Sequence, residues 1–225
     1  VLKGKKKMFH KILKPEYLKY YEGVTTCTTH KLEDTPHCAT FIEFARNDLS
    51  TSQNLHAIYN AVSNAKRALH RRVDILCSLA GYETYIAKRN NFPSKLDFLE
   101  KCGFFTPQII RRLNYIRNKL EHDYEAPNYT EAENYVDIIE LFLVATSVFI
   151  KNYPTIYEFF IVESESVDNT ELYKTLPRWI SIEVELEKGN LDMRFPGQDE
   201  HLIKSIKDTD YFDWLKPIMH GYFWY

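Results

Sequence analysis

Glycine is scarce in this chain, 7 of 225 residues, while aromatic residues make up 15%. That balance excludes a loop-rich or disordered chain and predicts long packed elements. Long apolar runs are missing as well. The longest candidate, Ile138 to Ile150, is interrupted by Glu140 and the Thr146-Ser147 pair, so it reads as a buried helix and no membrane span is expected. The four cysteines, Cys27, Cys38, Cys77 and Cys102, form no Cys-x-x-Cys pair. A chain of this size needs no disulfide framework, so all four are expected to be reduced thiols. Cys77 falls on a helical apolar stripe, where a thiol behaves as a small hydrophobe. A phosphate-binding Gly-rich loop, a Gly-x-Ser-x-Gly elbow and a His-Glu-x-x-His pair are all absent, which removes the enzyme classes that depend on them. The basic start, Val1 to Lys7, is followed by no apolar segment or small-residue cleavage site, so a cytoplasmic, soluble protein is expected. Because the first residue is Val rather than Met, the chain is expected to begin downstream of a natural start.

What is present is a 44% hydrophobic share, enough for a real core in one or two domains. Net charge is -2, unevenly spread. Residues 49–125 carry 12 Lys/Arg against 7 Asp/Glu, whereas residues 126–225 carry 8 against 18. A basic middle suits a polyanion and an acidic end suggests a second surface, although charged helix faces are usually just solvated.

The pattern along the chain divides it into three parts. Residues 1–48 resist reading: Pro15, Gly23, Pro36 and the threonines at 25, 26, 28 and 29 break any long helix, and Thr40 to Phe44 suggests a short strand. From Ser50-Thr51-Ser52, any of which can cap a helix, apolar residues recur at helical spacing from Leu55 to Ala80, and Gly81 supplies a stop. The opposite side of that helix carries Lys66, Arg67, His70, Arg71 and Asp74. A shorter helix is predicted from Ser94 to Gly103, and a third from the Thr106-Pro107 cap to Asp123. A fourth opens on a Thr130-Glu131-Ala132-Glu133 capping box and stops before Pro154. Helices joined by brief connections over 49–153 describe an up-and-down bundle. After Pro154 the period falls to two. Ile180 to Glu187 and Leu191 to Phe195 alternate around Gly189-Asn190 as a β-hairpin, and Phe159 to Val162 reads as a third strand. Asp199 to Lys207 and Tyr211 to Leu215 are expected to be helical. The expected fold is therefore mainly α, with a small C-terminal α+β extension over 154–225.

The third helix closes on Ile116-Arg117-Asn118-Lys119-Leu120-Glu121-His122-Asp123-Tyr124. The segment resembles the signature of HEPN domains, in which Arg, a polar residue, three variable residues and His follow one another. Tyr124 extends the likeness to the variant found in HEPN toxins paired with minimal nucleotidyltransferase antitoxins. The resemblance covers about Leu49 to Asn152 and implies a HEPN-like helical bundle, a homodimer with both motifs at one cleft, and a toxin or antiviral effector that an antitoxin or inhibitor protein restrains. It also implies that the partner enzyme adenylylates Tyr124, a residue that packing explains equally well.

The chemistry stands without the resemblance. Cutting RNA through its own 2′-hydroxyl needs a base, an acid and positive charge on the phosphorane. Histidine titrates near neutrality and performs either proton transfer, and arginine offers a fixed fork of donors to phosphate. Asn118 stands one turn before His122 and can orient its imidazole. One helix supplies one histidine, so both proton roles together call for two copies. No carboxylate cluster accompanies the motif, so metal-independent cleavage, with no cofactor, is expected rather than two-metal hydrolysis. Lys66, Arg67, Arg71, Arg111, Arg112 and Lys119 are candidates for RNA phosphate contact. The structural readings are that His122 complements a helix C-terminus and that Arg117 pairs with Glu121. The alternative function is a non-catalytic module binding RNA, a nucleotide or a partner protein. Two minor signals remain. Cys27, His30, His37 and Cys38 form a weak zinc candidate, since adjacent His37 and Cys38 make tetrahedral closure awkward. Asp208-Thr209-Asp210 mimics the acidic pair of a nucleotidyltransferase without the Gly-Ser element that should precede it.

Overall fold

A computed structural model describes residues 8–29, 37–85, 90–104, 108, 127–162, 174–199 and 201–223. In chain order these form α1 (Phe9–Ile12), a 3-10 helix (Pro15–Tyr20), β1 (Tyr21–Thr28), α2 (Cys38–Thr51), α3 (Leu55–Leu79), α4 (Tyr82–Tyr85) and α5 (Phe92–Lys101). There follow α6 (Tyr129–Thr146), α7 (Val148–Lys151), β2 (Tyr153–Ile161), β3 (Trp179–Glu185), a 3-10 turn (Leu186–Lys188), β4 (Asn190–Arg194), β5 (Leu202–Ser205) and α8 (Tyr211–Phe223). The chain divides into two compact units, one made of residues 28–153 and the other of residues 1–27 together with 154–225.

In the helical unit, α3 is central and packs against α2, α5 and α6. Its buried stripe includes Ala57, Ile58, Ala61, Ala65, Ala68, Leu69, Val73 and Leu76, the spacing that one face of a 3.6-residue helix requires. Small alanines on that stripe let neighbouring helices approach closely. The helix starts later than its sequence suggests. Ser50 and Thr51 donate their hydroxyls back to the Asn47 carbonyl at 3.0 and 2.7 Å, closing α2, while Ser52 turns extended. Asn54 is the true cap, its side chain accepting from the Ala57 N–H at 2.9 Å. The opposite shift occurs at α5, which Asn91 rather than Ser94 opens, and at α6, where Asn128 and Glu131 form the capping box, so both helices start earlier than expected. The Thr40 to Phe44 stretch lies inside α2 and is no strand. Its apolar Ile42 is buried four residues after Cys38, three before Ala45 and seven before Leu49, a helical rhythm. Between α2 and α6, the Arg46 guanidinium bridges Asp137, at 2.6 Å, and Glu140, and these carboxylates hold it more firmly protonated than usual even as burial opposes them. The expected third helix, 106–123, lies outside the described residues apart from position 108.

The other unit overturns the mainly α expectation: the chain is α+β. A five-stranded antiparallel sheet runs in the order β1-β2-β3-β4-β5, every strand beside its sequence neighbour. The expected hairpin is its centre, with Ile182 opposite Met193 and Val184 opposite Leu191. Two strands come from stretches expected to be irregular or helical. The threonine-rich residues 21–28 form edge strand β1, and Leu202–Ser205 forms the opposite edge, β5, paired to β4. One face carries the core: Tyr157 and Phe159, Ile180, Ile182 and Val184, Leu191 and Met193 are all buried. Beneath them α8 contributes Tyr211, Trp214, Leu215, Ile218 and Met219, an i, i+3, i+4, i+7, i+8 stripe. The Tyr157 hydroxyl reaches Met219 Sδ at 3.7 Å.

Candidate functional site

The residues expected to do the chemistry, Arg117, Asn118 and His122, lie outside the described residues, as do Tyr124, Arg111, Arg112 and Lys119. Their geometry is not described, and their case rests on type and spacing. The other three expected RNA contacts, Lys66, Arg67 and Arg71, stand on α3, with Lys66 and Arg67 adjacent and Arg71 one turn after Arg67. Arg67 and Arg71 are exposed and Lys66 is half-buried. Arg67 donates to Asn64 at 3.0 Å, and Asn64 in turn donates to Asp48 at 3.1 Å, so the α2–α3 contact orients this guanidinium. His70, between them, stacks on Phe92 with ring centroids 4.2 Å apart.

One cation on this helix escaped the reading of the sequence. Arg72 falls on the buried side of α3, four residues from Ala68 and Leu76 and seven from Ala65 and Leu79, all of them buried. Its Nε and Nη1 are shut off from solvent and have no hydrogen-bond partner among the described residues. Arg72 as a whole is half-buried, but enclosed guanidinium nitrogens without an acceptor are costly, so they mark a place where an anion would be welcome. The signal was there in the sequence, since 72 continues the 65, 68, 76, 79 series.

The zinc candidate is not assembled among the described residues. Cys27 is a half-buried residue of β1, Cys38 is the buried first residue of α2, His37 is exposed with no side-chain cap bond, and His30 lies outside the described residues. No group of three or more metal-ligating side chains occurs among the described residues. Burial pushes the Cys77 thiol up to about 12 and the Cys102 thiol well above its ordinary value, so neither is a nucleophile at neutral pH. Asp208 and Asp210 have structural partners. Asp208 accepts from the Ser205 N–H at 2.8 Å, and Asp210 accepts from Lys204 Nζ at 2.6 Å and from the Trp214 indole at 3.2 Å. Burial raises the Asp210 carboxyl, but the hydrogen bonds from Lys204 and Trp214 outweigh it and hold the group below its ordinary value. No helix among the described residues is long and apolar enough to cross a membrane.

Set against family models, curated proteins and solved structures, the chain has no match, so any function must be argued from its own residues.

Proposed function

We propose that the chain is a metal-independent endoribonuclease, with Arg117, Asn118 and His122 as its reactive group. The observation that carries the reading is the spacing Arg117-Asn118-x-x-x-His122-x-Tyr124, like the motif of HEPN nucleases. His122 takes the 2′-hydroxyl proton or returns one to the departing 5′-oxygen, Arg117 neutralises the phosphorane, and Asn118 orients the imidazole. The 2′-oxygen attacks phosphorus, the bond to the 5′-oxygen breaks, and the products carry a 2′,3′-cyclic phosphate and a 5′-hydroxyl. Two proton transfers need two histidines, so the active form is a homodimer that brings two copies of the motif together. Lys66, Arg67 and Arg71 on α3, with Arg111, Arg112 and Lys119, supply phosphate contacts, and the half-buried Arg72 adds a cation of which two nitrogens lack an acceptor among the described residues. A toxin or antiviral effector is the role this activity suits, with a partner protein as its restraint and Tyr124 as the point at which that partner acts.

The test is cleavage of labelled structured and unstructured RNA in EDTA, comparing the natural chain with His122→Ala and Arg117→Ala. Cleavage should persist in EDTA and fall by at least about 100-fold in the histidine variant. Cleavage that survives His122→Ala, or that EDTA abolishes, contradicts the assignment. RNA binding without cleavage by the folded dimer favours the non-catalytic module instead.

A further inference from the structure

The outer face of the sheet carries a feature that RNA cleavage does not require. Phe160 on β2 and Trp179 on β3 are direct cross-strand partners, 50% and 38% exposed. Ile156 and Ile203 extend the apolar area along the same face. The next row inward from the aromatic pair is Glu158 opposite Ser181, and the following one is Ile156 opposite Glu183. On β1, a Cβ added at Gly23 would meet the ring of Phe159, an inner residue, so Glu22 and Val24 point to the outer side. The face therefore presents Glu22, Glu158, Glu183 and Asp192. Arg194 on this face is spoken for, donating to Glu183 at 3.1 Å and to Asp192 at 3.2 Å, and the His201 ring nitrogen lies 2.5 Å from Asp192. Glu158 and Glu22 have no ion-pair partner among the described residues.

We infer that this face docks an arginine- or lysine-bearing segment of a partner protein. Exposed aromatic rings gathered on one face mark an interaction site rather than a solvated surface. A planar guanidinium stacks on the face of an indole or phenyl ring. Same-face residues of a strand stand about 7 Å apart, so a side chain lying over the Phe160–Trp179 pair brings its charge to the Glu158 carboxylate. The complementarity selects the occupant. Phosphates approaching the rings would meet the Glu158 and Glu22 carboxylates, which disfavours a nucleic acid and favours a cationic peptide. The inference is independent of the ribonuclease reading, because it concerns binding by a different unit and its test measures no cleavage.

The test titrates the full chain into a fluorescein-labelled octapeptide alternating Arg and Ser, an Asp-Ser counterpart and a single-stranded oligouridine, followed by anisotropy. The Arg peptide should bind and the Asp peptide should not, and any oligouridine binding, made by the basic helical unit, should be untouched by Trp179→Ala. Trp179→Ala and Glu158→Gln should each weaken Arg-peptide binding about fivefold or more. Asp97→Asn, an equal loss of charge at an exposed site on α5, should leave it unchanged. Glu158 is itself exposed, so its variant tests the site even if Trp179→Ala perturbs folding. The inference is overturned if the Arg peptide fails to bind, if Asp97→Asn weakens it as much as Glu158→Gln does, or if oligouridine binds in a way that Trp179→Ala removes.

Discussion

At Gly189 one missing Cβ allows both a turn and the packing beside it. The residue has φ +67°, follows the 3-10 turn after β3, and accepts the Ile206 N–H through its carbonyl at 2.7 Å. A Cβ there would stand 2.6 Å from Ile206 Cγ2 and 2.7 Å from Ile206 Cβ. Gly189→Ala therefore combines an unfavourable left-handed backbone with a steric clash, and should cost about 2 kcal/mol or more. All three tryptophans, Trp179, Trp214 and Trp224, lie after residue 153, so the urea midpoint read by tryptophan fluorescence reports the sheet-bearing unit directly. Arg72 gives the opposite expectation. Its buried nitrogens lack an acceptor among the described residues, so Arg72→Met, similar in length and without the charge, should leave the thermal midpoint unchanged or higher while weakening RNA cleavage. Circular dichroism at 222 nm measures the first effect. A loss exceeding about 2 kcal/mol would show that the guanidinium has a structural acceptor.

Helix termini depend on local hydrogen bonds that several nearby residues are equally equipped to make. Asn128 receives the Glu131 N–H at 2.9 Å and Glu131 returns a bond to the Asn128 N–H at 3.0 Å. Asn128→Ala removes the side-chain acceptor and leaves the Glu131 N–H unsatisfied while the residue-128 N–H keeps its bond, and should cost the helical unit about 1 kcal/mol in thermal unfolding followed at 222 nm. Thr130 with Glu133 fits the same capping pattern on paper, which is why the sequence places this start two residues late. Helix interiors were more legible. The apolar stripe of α3 reads directly from its spacing, because burial against α2, α5 and α6 demands it. Strands divided along similar lines. β3 and β4, buried on one face and open on the other, show a clean alternation. The edge strands do not. β1 buries only Tyr21 fully, and β5 is four residues long with none fully buried, so neither leaves a period-two trace. Missing them turned an α+β chain into an expected helical one. Of the candidate site, the three cations on α3 were legible as a charged helix side, whereas Arg72 and the Phe160–Trp179 pair were not. The first breaks the rule that charge lies outside, and the second requires the strand register.

Across the whole molecule, the uneven charge acquires a physical reading. The basic middle of the chain includes α3 with Lys66, Arg67, Arg71 and Arg72 and the motif Arg117 to Tyr124. The acidic remainder includes the sheet whose outer face sets aromatic rings beside Glu158, a carboxylate without an ion-pair partner among the described residues. On this account one unit handles RNA and the other recognises a cationic protein segment, so substitutions in one should leave the other's activity intact. The central claim is the chemistry assigned to His122 and Arg117, and mass spectrometry of the RNA ends left after incubation in EDTA tests it most directly. The account predicts 2′,3′-cyclic phosphates paired with 5′-hydroxyls, absent from the His122→Ala reaction. Products with 3′-hydroxyl and 5′-phosphate ends, or no products from the folded dimer, would contradict it.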